Sequence, residues 1–106
     1  MHSIESWGYL ILWEFRPREG AEARFEKLYG PRGVWAKLFD QGEAFVSAEL
    51  VRDSKDPNRY ITLDRWTSRE AYEDFRAACR QEYESIDLPC ESLTDSEKEI
   101  GSFERF

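Results

Sequence analysis

Apolar residues gather in four short stretches of the chain, and their spacing predicts β-strands. The stretch at 8–16 is rich in aromatic and aliphatic residues and ends at a proline. The stretches at 44–53 and 59–66 flank a loop of Asp, Ser, Lys, Pro and Asn, so we expect them to pair as an antiparallel hairpin. A last strand is predicted in the C-terminal tail, at 99–106.

Helical spacing of apolar residues occupies the segments between these strands. A first helix is predicted at 19–29, ended by the Gly-Pro pair that follows it, and a short helical piece at 34–40. Thr67 and Glu70 form a capping box that starts a long helix, which ends before the next proline. The apolar stripe of this helix is Tyr72, Phe75, Cys79, Tyr83 and Ile86. A capping signal at 94–97 predicts one more short turn.

The order strand, helix, strand, strand, helix, strand is that of the ferredoxin-like split βαβ plan, an α+β fold with an antiparallel sheet. We expect residues 1–106 to form a single domain. Helices cover one face of such a sheet, and strand alternation leaves apolar residues on the other. These are Leu10, Leu12, Val46, Ala48, Leu50, Ile61 and Leu63. Two sheets packed face to face would remove this surface from water, which predicts a homodimer with Glu14 and Arg65 as an interface ion pair.

The helix-covered face is predicted to mix rings with carboxylates. Its members are Tyr9, Ile11, Trp13, Phe15, Phe45, Ser47, Glu49, Val51, Tyr60, Thr62, Asp64 and Trp66. A covered carboxylate is unfavourable unless it is paired or hydrated, and two interpretations remain open. In one, the sheet and helices enclose a cavity where Asp64 or Glu49 contacts a ligand. In the other, the core is solid, and both carboxylates accept hydrogen bonds within it or reach solvent at an edge.

The cavity interpretation gives each candidate residue a role. Trp13 and Trp66 would hold a flat apolar ligand by stacking, and Asp64 would accept a proton or hydrogen bond from its hydroxyl. Tyr72 would donate to a ligand oxygen. The predicted catalytic residues are therefore Asp64, Trp66 and Tyr72. The predicted ligand-binding residues are Trp13, Phe45, Glu49, Tyr60 and Phe75.

Composition narrows the possible partners. Acids outnumber bases by 22 to 15, so the chain repels phosphate backbones and anionic lipids, and we expect neither nucleic acid nor membrane binding. Cys79, Cys90 and the single histidine, His2, form no metal motif, and phosphate-binding glycine loops are absent, so we predict no metal or other cofactor.

Without a basic start followed by an apolar run, no signal peptide is predicted, and we expect a cytoplasmic protein with reduced thiols. Sixteen aromatic residues favour a ring-lined pocket or a partner-covered face.

Several segments together resemble the antibiotic biosynthesis monooxygenase family of dimeric α/β-barrel proteins. They are FRPREG at the end of the first strand and ahead of a helix, AELVRDSKDPNRYITLDRW across the hairpin, TSREAYEDF at the start of the long helix, and EIGSFE in the tail. The resemblance implies a dimeric α/β barrel. In the haem-degrading branch an Asn lies on the first strand, a Trp ends the third and a His lies on the long helix. Trp66 matches the Trp, Trp13 stands at the first-strand position, and the helix has no His.

Two functions follow from the residues and the resemblance. The first is a cofactor-independent monooxygenase-like protein that acts on or binds a small aromatic or hydrophobic molecule. An electron-rich phenolic substrate would supply the electrons, so that the protein needs only a base, orientation and a dry pocket. The second is a non-catalytic dimeric module of the same fold that binds a small ligand or has a structural role. An open aromatic pocket with convergent polar groups favours the first, and a filled space the second.

Overall fold

The computed structural model describes residues 6–106 of the chain, so His2 lies outside the described residues. Four antiparallel strands form one sheet in the order β2-β3-β1-β4. The strands are β1 (Tyr9–Pro17), β2 (Phe45–Arg52), β3 (Tyr60–Trp66) and β4 (Thr94–Glu104). The helices are α1 (Glu22–Tyr29), α2 (Val34–Phe39), α3 (Arg69–Ala78) and α4 (Arg80–Cys90), and a short 3₁₀ turn, Glu91–Leu93, precedes β4. This arrangement confirms the predicted ferredoxin-like α+β fold.

Register between the central strands places the predicted residues of β1 and β3 on the helix-covered face. Trp13 lies opposite Thr62, Ile11 opposite Asp64, and Tyr9 opposite Trp66. Directly opposed residues in an antiparallel pair project to the same side of the sheet. The alternation within β1 and β3 therefore predicted this face correctly.

The predicted faces of β2 are wrong beyond its first residue, because the strand has a β-bulge at Val46. Phe45 pairs with Trp66, but the register then shifts, and Ser47 pairs with Arg65 and Ala48 with Asp64. An extra residue in one strand reverses the side to which every later side chain points. The bulge thus transfers Ser47, Glu49 and Val51 to the open face, and Ala48 and Leu50 to the helix-covered face.

The predicted long helix is two helices, α3 and α4, which meet at Cys79. Ser68, rather than Thr67, caps α3, because its hydroxyl oxygen accepts a hydrogen bond of 3.0 Å from the Ala71 N–H. Helix α4 continues through Pro89 to Cys90. The predicted turn at 94–97 is instead the beginning of β4, which starts five residues earlier than expected.

Two aromatic clusters form the core between the sheet and the helices. One is built around Trp66, which is fully buried against rings of α2, α3 and β2. The other is built around Phe25 of α1, also fully buried. The Phe25 ring stacks on Tyr29 at 4.5 Å between centroids and meets Phe15 at 5.4 Å and Tyr60 at 5.0 Å.

The open face of the sheet is apolar in places and carries three ion pairs among the described residues, none of which is the predicted Glu14–Arg65 pair. The Glu14 carboxylate lies 2.9 Å from the Arg59 guanidinium and 3.7 Å from that of Arg16. Arg65 instead donates to Glu49 on β2. Glu14 and Arg65 do lie on the expected face, but each finds its partner within its own chain.

The Phe25 cluster supports a test of stability. We expect Phe25→Ala to lower the free energy of unfolding by about 3–5 kcal/mol, because it removes a fully buried ring and leaves a cavity. Chemical denaturation measures the change. Leu88→Ala is the matched control, since Leu88 is 72% exposed and its truncation should change the free energy by less than about 0.5 kcal/mol. Equal losses in the two variants would contradict the assigned core.

Candidate functional site

A cavity of about 210 Å³ lies between the sheet and helices α2, α3 and α4. Aromatic side chains from every one of these elements line it. The lining rings include Trp13, Trp35, Phe39, Trp66, Tyr72 and Tyr83. Polar groups enter this wall at a few points, chiefly Asp64 and Arg76. Apolar walls with few convergent polar groups are the usual composition of a small-molecule site.

Asp64 places a carboxyl group in the aromatic wall. Strand β3 positions it, because Asp64 sits between Thr62 and Trp66 on the covered face and opposite Ile11. Within residues 6–106 its carboxyl has no hydrogen-bond or ion-pair partner. Burial without a compensating partner disfavours the charged form and raises the pKa of Asp64 to about 7. A carboxyl with this pKa exchanges protons readily near neutral pH.

Tyr72, at the start of α3, brings a hydroxyl group to the same cavity. Its ring meets the edge of Trp66 at 4.9 Å and lies 5.7 Å from the Tyr9 ring. The Arg76 guanidinium, one turn later, donates to the Tyr72 hydroxyl oxygen at 3.0 Å and lies 5.0 Å from the centre of the Tyr83 ring. Because that oxygen accepts from Arg76, its own hydrogen stays available for a ligand. Burial raises the pKa of Tyr72, so its hydroxyl remains a donor.

Trp13 and Trp66 lie on either side of Asp64 and do not stack on each other. Trp13 is level with Thr62, whereas Trp66 is four residues further along β3, a separation of roughly 13 Å along the strand. The Trp66 indole N–H is buried without a hydrogen-bond partner among the described residues. The two rings therefore form separate parts of the wall.

Four predicted binding residues lie outside the lining. Phe45 and Phe75 pack against Trp66 at 5.5 and 5.4 Å between centroids, so they support the wall from behind. Tyr60 is buried in the Phe25 cluster and donates its hydroxyl hydrogen to Glu26. Glu49 lies on the opposite face, paired with Arg65, because of the bulge in β2.

Sequence patterns missed the acidic rim of the cavity. Glu84 and Asp87 reach it from α4 and Glu97 from β4. Burial first, then the neighbouring Asp87 and Glu91, raise the pKa of Glu97. The capping signal at 94–97 predicts a turn there, whereas these residues begin β4 and place Glu97 on the sheet. Trp35 and Phe39 of α2 could have been found from the apolar side of that short helix.

Other chemistry finds little support in the part of the chain that the structure describes. Within residues 6–106, no group of three His, Cys, Asp or Glu side chains is arranged to hold a metal ion. Cys79 and Cys90 are free, and burial raises the pKa of both thiols. None of the helices in this range is long and apolar enough to cross a membrane.

Comparison with known proteins identifies the family of this chain. The family described as antibiotic biosynthesis monooxygenase matches residues 8–81. The chain belongs to the antibiotic biosynthesis monooxygenase family. No curated protein is a significant match to it.

Several solved structures share the fold of this family member. A variant of SnoaB, a cofactor-independent oxygenase from Streptomyces nogalater, is 22% identical, with a TM-score of 0.70 over 92% of this chain and 91% of its own. The monooxygenase ActVA-Orf6 of Streptomyces coelicolor, solved with nanaomycin D, is 16% identical, with a TM-score of 0.73 over 96% and 90%. PA3566 from Pseudomonas aeruginosa is 17% identical, with a TM-score of 0.63 over 98% and 99%. At these identities the likeness shows the fold alone.

The position of Asp64 in this antibiotic biosynthesis monooxygenase fold predicts a pH-dependent stability. A carboxyl whose pKa is about 7 when folded and about 4 when unfolded holds its proton more tightly in the folded state. The wild-type protein therefore loses stability as pH rises from about 4 to about 7, while Asp64→Asn does not lose this contribution. We expect the free energy of unfolding of Asp64→Asn, relative to wild type, to increase by about 2–4 kcal/mol between pH 4 and pH 8.

Denaturation series at both pH values measure this difference. Asp74→Asn is the matched control, because Asp74 is an exposed residue of α3 that does not line the cavity. Over the same pH range its difference from wild type should show no increase comparable to that of Asp64→Asn. A pH-independent difference for Asp64→Asn as well would show that this carboxyl titrates as it does in water.

Proposed function

We propose that this protein is a cofactor-independent monooxygenase that oxidises a small, electron-rich phenolic or enolic aromatic molecule in the cavity beside Asp64. Family membership supports a monooxygenase-like or small-ligand-binding protein. The observation that carries the finer proposal is the unpaired Asp64 carboxyl, with its pKa raised to about 7, in a cavity walled by rings. A solid core would need no such group there.

The proposed reaction uses electrons of the substrate itself. Asp64 removes the hydroxyl proton, and the resulting phenolate or enolate transfers electrons to O₂ and forms a carbon–oxygen bond as a peroxide. The proton then returns to the outer peroxide oxygen. The O–O bond breaks with loss of the ring C–H proton, leaving a carbonyl and releasing water. One substrate and one O₂ thus give one quinone-like product and one H₂O.

The residues around Asp64 would supply orientation. Tyr72, held by Arg76, donates to a ligand oxygen, while Trp13 and Trp66 bound the space where a flat ring lies. Apolar walls exclude water and so keep the Asp64 carboxyl a stronger base than it is in solution. General-base catalysis of this kind contributes about 10²–10⁴-fold to a rate.

The reaction can be tested with 1,8-dihydroxyanthrone, whose oxidation by O₂ gives the anthraquinone and water. We expect the purified protein to accelerate oxidation above the spontaneous rate, with or without a metal chelator. Asp64→Asn should slow turnover by about 10²-fold or more, and Tyr72→Phe by a smaller factor. Absorbance of the quinone and O₂ uptake measure the rate.

Asp74→Asn, which changes the net charge equally, should leave the rate of anthrone oxidation unchanged. If the anthrone binds but is not oxidised faster, the second candidate holds, a non-catalytic module that binds a small ligand. The same cavity supports that candidate, since binding needs the rings but no base. If neither binding nor oxidation occurs, both are rejected for this class of molecule.

We further propose that two chains pack through the open faces of their sheets to form a homodimer. Val51 and Phe103 on this face are large apolar residues that are nevertheless 45% and 47% exposed. Leu63 and Leu12 oppose each other in the middle of the same face. Exposed apolar side chains gathered on one face of a sheet favour an interface between subunits.

A charge at the centre of that face tests the dimer. Leu63→Glu should shift the mass in light scattering at micromolar concentration from two chains to one, or prevent folding, because an unpaired carboxylate would be buried. Leu63→Ala separates these outcomes, since it weakens association without adding a charge. A wild-type protein that is monomeric at this concentration would refute the dimer.

A further inference from the structure

The cavity proposed as the oxidation site has a strong imbalance of charge. Among residues 6–106, four carboxyl groups line it, those of Asp64, Glu84, Asp87 and Glu97, and the only basic lining residue is Arg76. Glu84 is paired with Arg80 at 3.5 Å on the outer surface of α4. Within residues 6–106, the other three carboxyl groups form no ion pair.

Arg76 is already engaged with the wall. Its guanidinium donates to the Tyr72 hydroxyl and lies over the face of the Tyr83 ring. It also interacts electrostatically with Asp87, although no direct ion pair forms between them. One guanidinium cannot balance the three carboxyl groups that lack an ion pair, so the lining keeps an excess of negative charge.

Electrostatics favours one kind of ligand in such a space. A positive charge gains from the unpaired carboxylates and from the electron-rich faces of the surrounding rings, whereas an anion is repelled by the former. Asp64 adds an observation from the interior of the cavity to that of the acidic rim: its carboxyl lines the cavity and has no hydrogen-bond or ion-pair partner within residues 6–106. Arg76 is one cation against three carboxyl groups without an ion pair, so a positively charged ligand would be attracted both at the rim and in the interior.

We propose that the cavity selects aromatic ligands that carry a protonated amine, with the rings of the wall around the aromatic part and the ammonium group held near Asp87 and Glu97. This inference rests on the proposed function, because it assumes that an aromatic molecule occupies the cavity, and it specifies the class of that molecule. The ammonium also offsets the charge that develops when a phenolic hydroxyl gives its proton to Asp64. An amine-bearing phenol is therefore a better substrate than its neutral counterpart.

Three naphthalene derivatives that differ in charge test the selection. They are 1-naphthylmethylammonium, 1-naphthalenemethanol and 1-naphthoate. Titration calorimetry at about pH 8 measures binding to the wild-type protein. We expect the cation to bind about tenfold or more tightly than the alcohol, and the anion to bind most weakly.

Variants of the acidic rim test whether the ammonium group of the ligand binds there. Asp87→Asn and Glu97→Gln should each weaken binding of the cation by about three- to tenfold and leave binding of the alcohol within about twofold. Asp74→Asn, the matched control on the outside of α3, should change neither. Ala48→Leu, which narrows the cavity from β2, should weaken binding of both ligands.

The outcomes separate this inference from the proposed function. If the alcohol binds and the cation binds no more tightly, the selection is overturned while an aromatic site remains. Unchanged binding of the cation to both rim variants, or to Ala48→Leu, also overturns it, because the cation then binds elsewhere. If none of the three ligands binds the wild-type protein, both the selection and the aromatic site are rejected.

Discussion

Packing of Trp66 against four other rings is the interaction on which both the core and the cavity depend. The indole is fully buried at the end of β3, with Phe39, Phe45, Tyr72 and Phe75 at 4.9–5.5 Å between centroids. These rings come from α2, β2 and α3, so one side chain connects the sheet to two helices. Edge-to-face contacts between aromatic rings favour a fixed mutual arrangement. Trp66, Phe39 and Tyr72 of this cluster also line the cavity next to Asp64, so the packing of the core fixes the shape of that wall.

Asp64 is unfavourable for folding and for that reason informative about function. Burying a carboxyl without a partner destabilises the charged form, and the raised pKa expresses that loss. The same strand could have placed an apolar residue there, as it does at Trp66. Polar groups that reduce stability within an otherwise apolar layer are found mostly where a ligand or a reaction requires them. Tyr72 and Arg76 strengthen this interpretation, because they bring a donor to the same space.

The sequence predicted the fold and the face of the sheet on which the central residues of the candidate site lie. The prediction was wrong where a local irregularity reverses the side to which the following side chains point. Strict alternation in β1 and β3 placed Trp13, Asp64 and Trp66 correctly on the covered face. The bulge at Val46 has no Gly or Pro to signal it, so Glu49 was assigned to the wrong side. Residue type alone also could not separate the rings that line the cavity from those that support it, such as Phe75, because that depends on packing in three dimensions.

The two faces of the sheet differ in how their carboxylates are paired. On the open face the buried Glu14 is neutralised by Arg59 at 2.9 Å, and Glu49 by Arg65, so the carboxylates there are compensated within the chain. A paired carboxylate loses less free energy than an unpaired one when a partner covers it, because the attraction to its cation offsets part of the desolvation penalty. On the helix-covered face Asp64 has no such cation, although arginines are available in the chain. The contrast implies that a ligand in the cavity compensates the charge of Asp64 on the covered face. The open face instead needs only an apolar surface of a partner to cover its apolar residues.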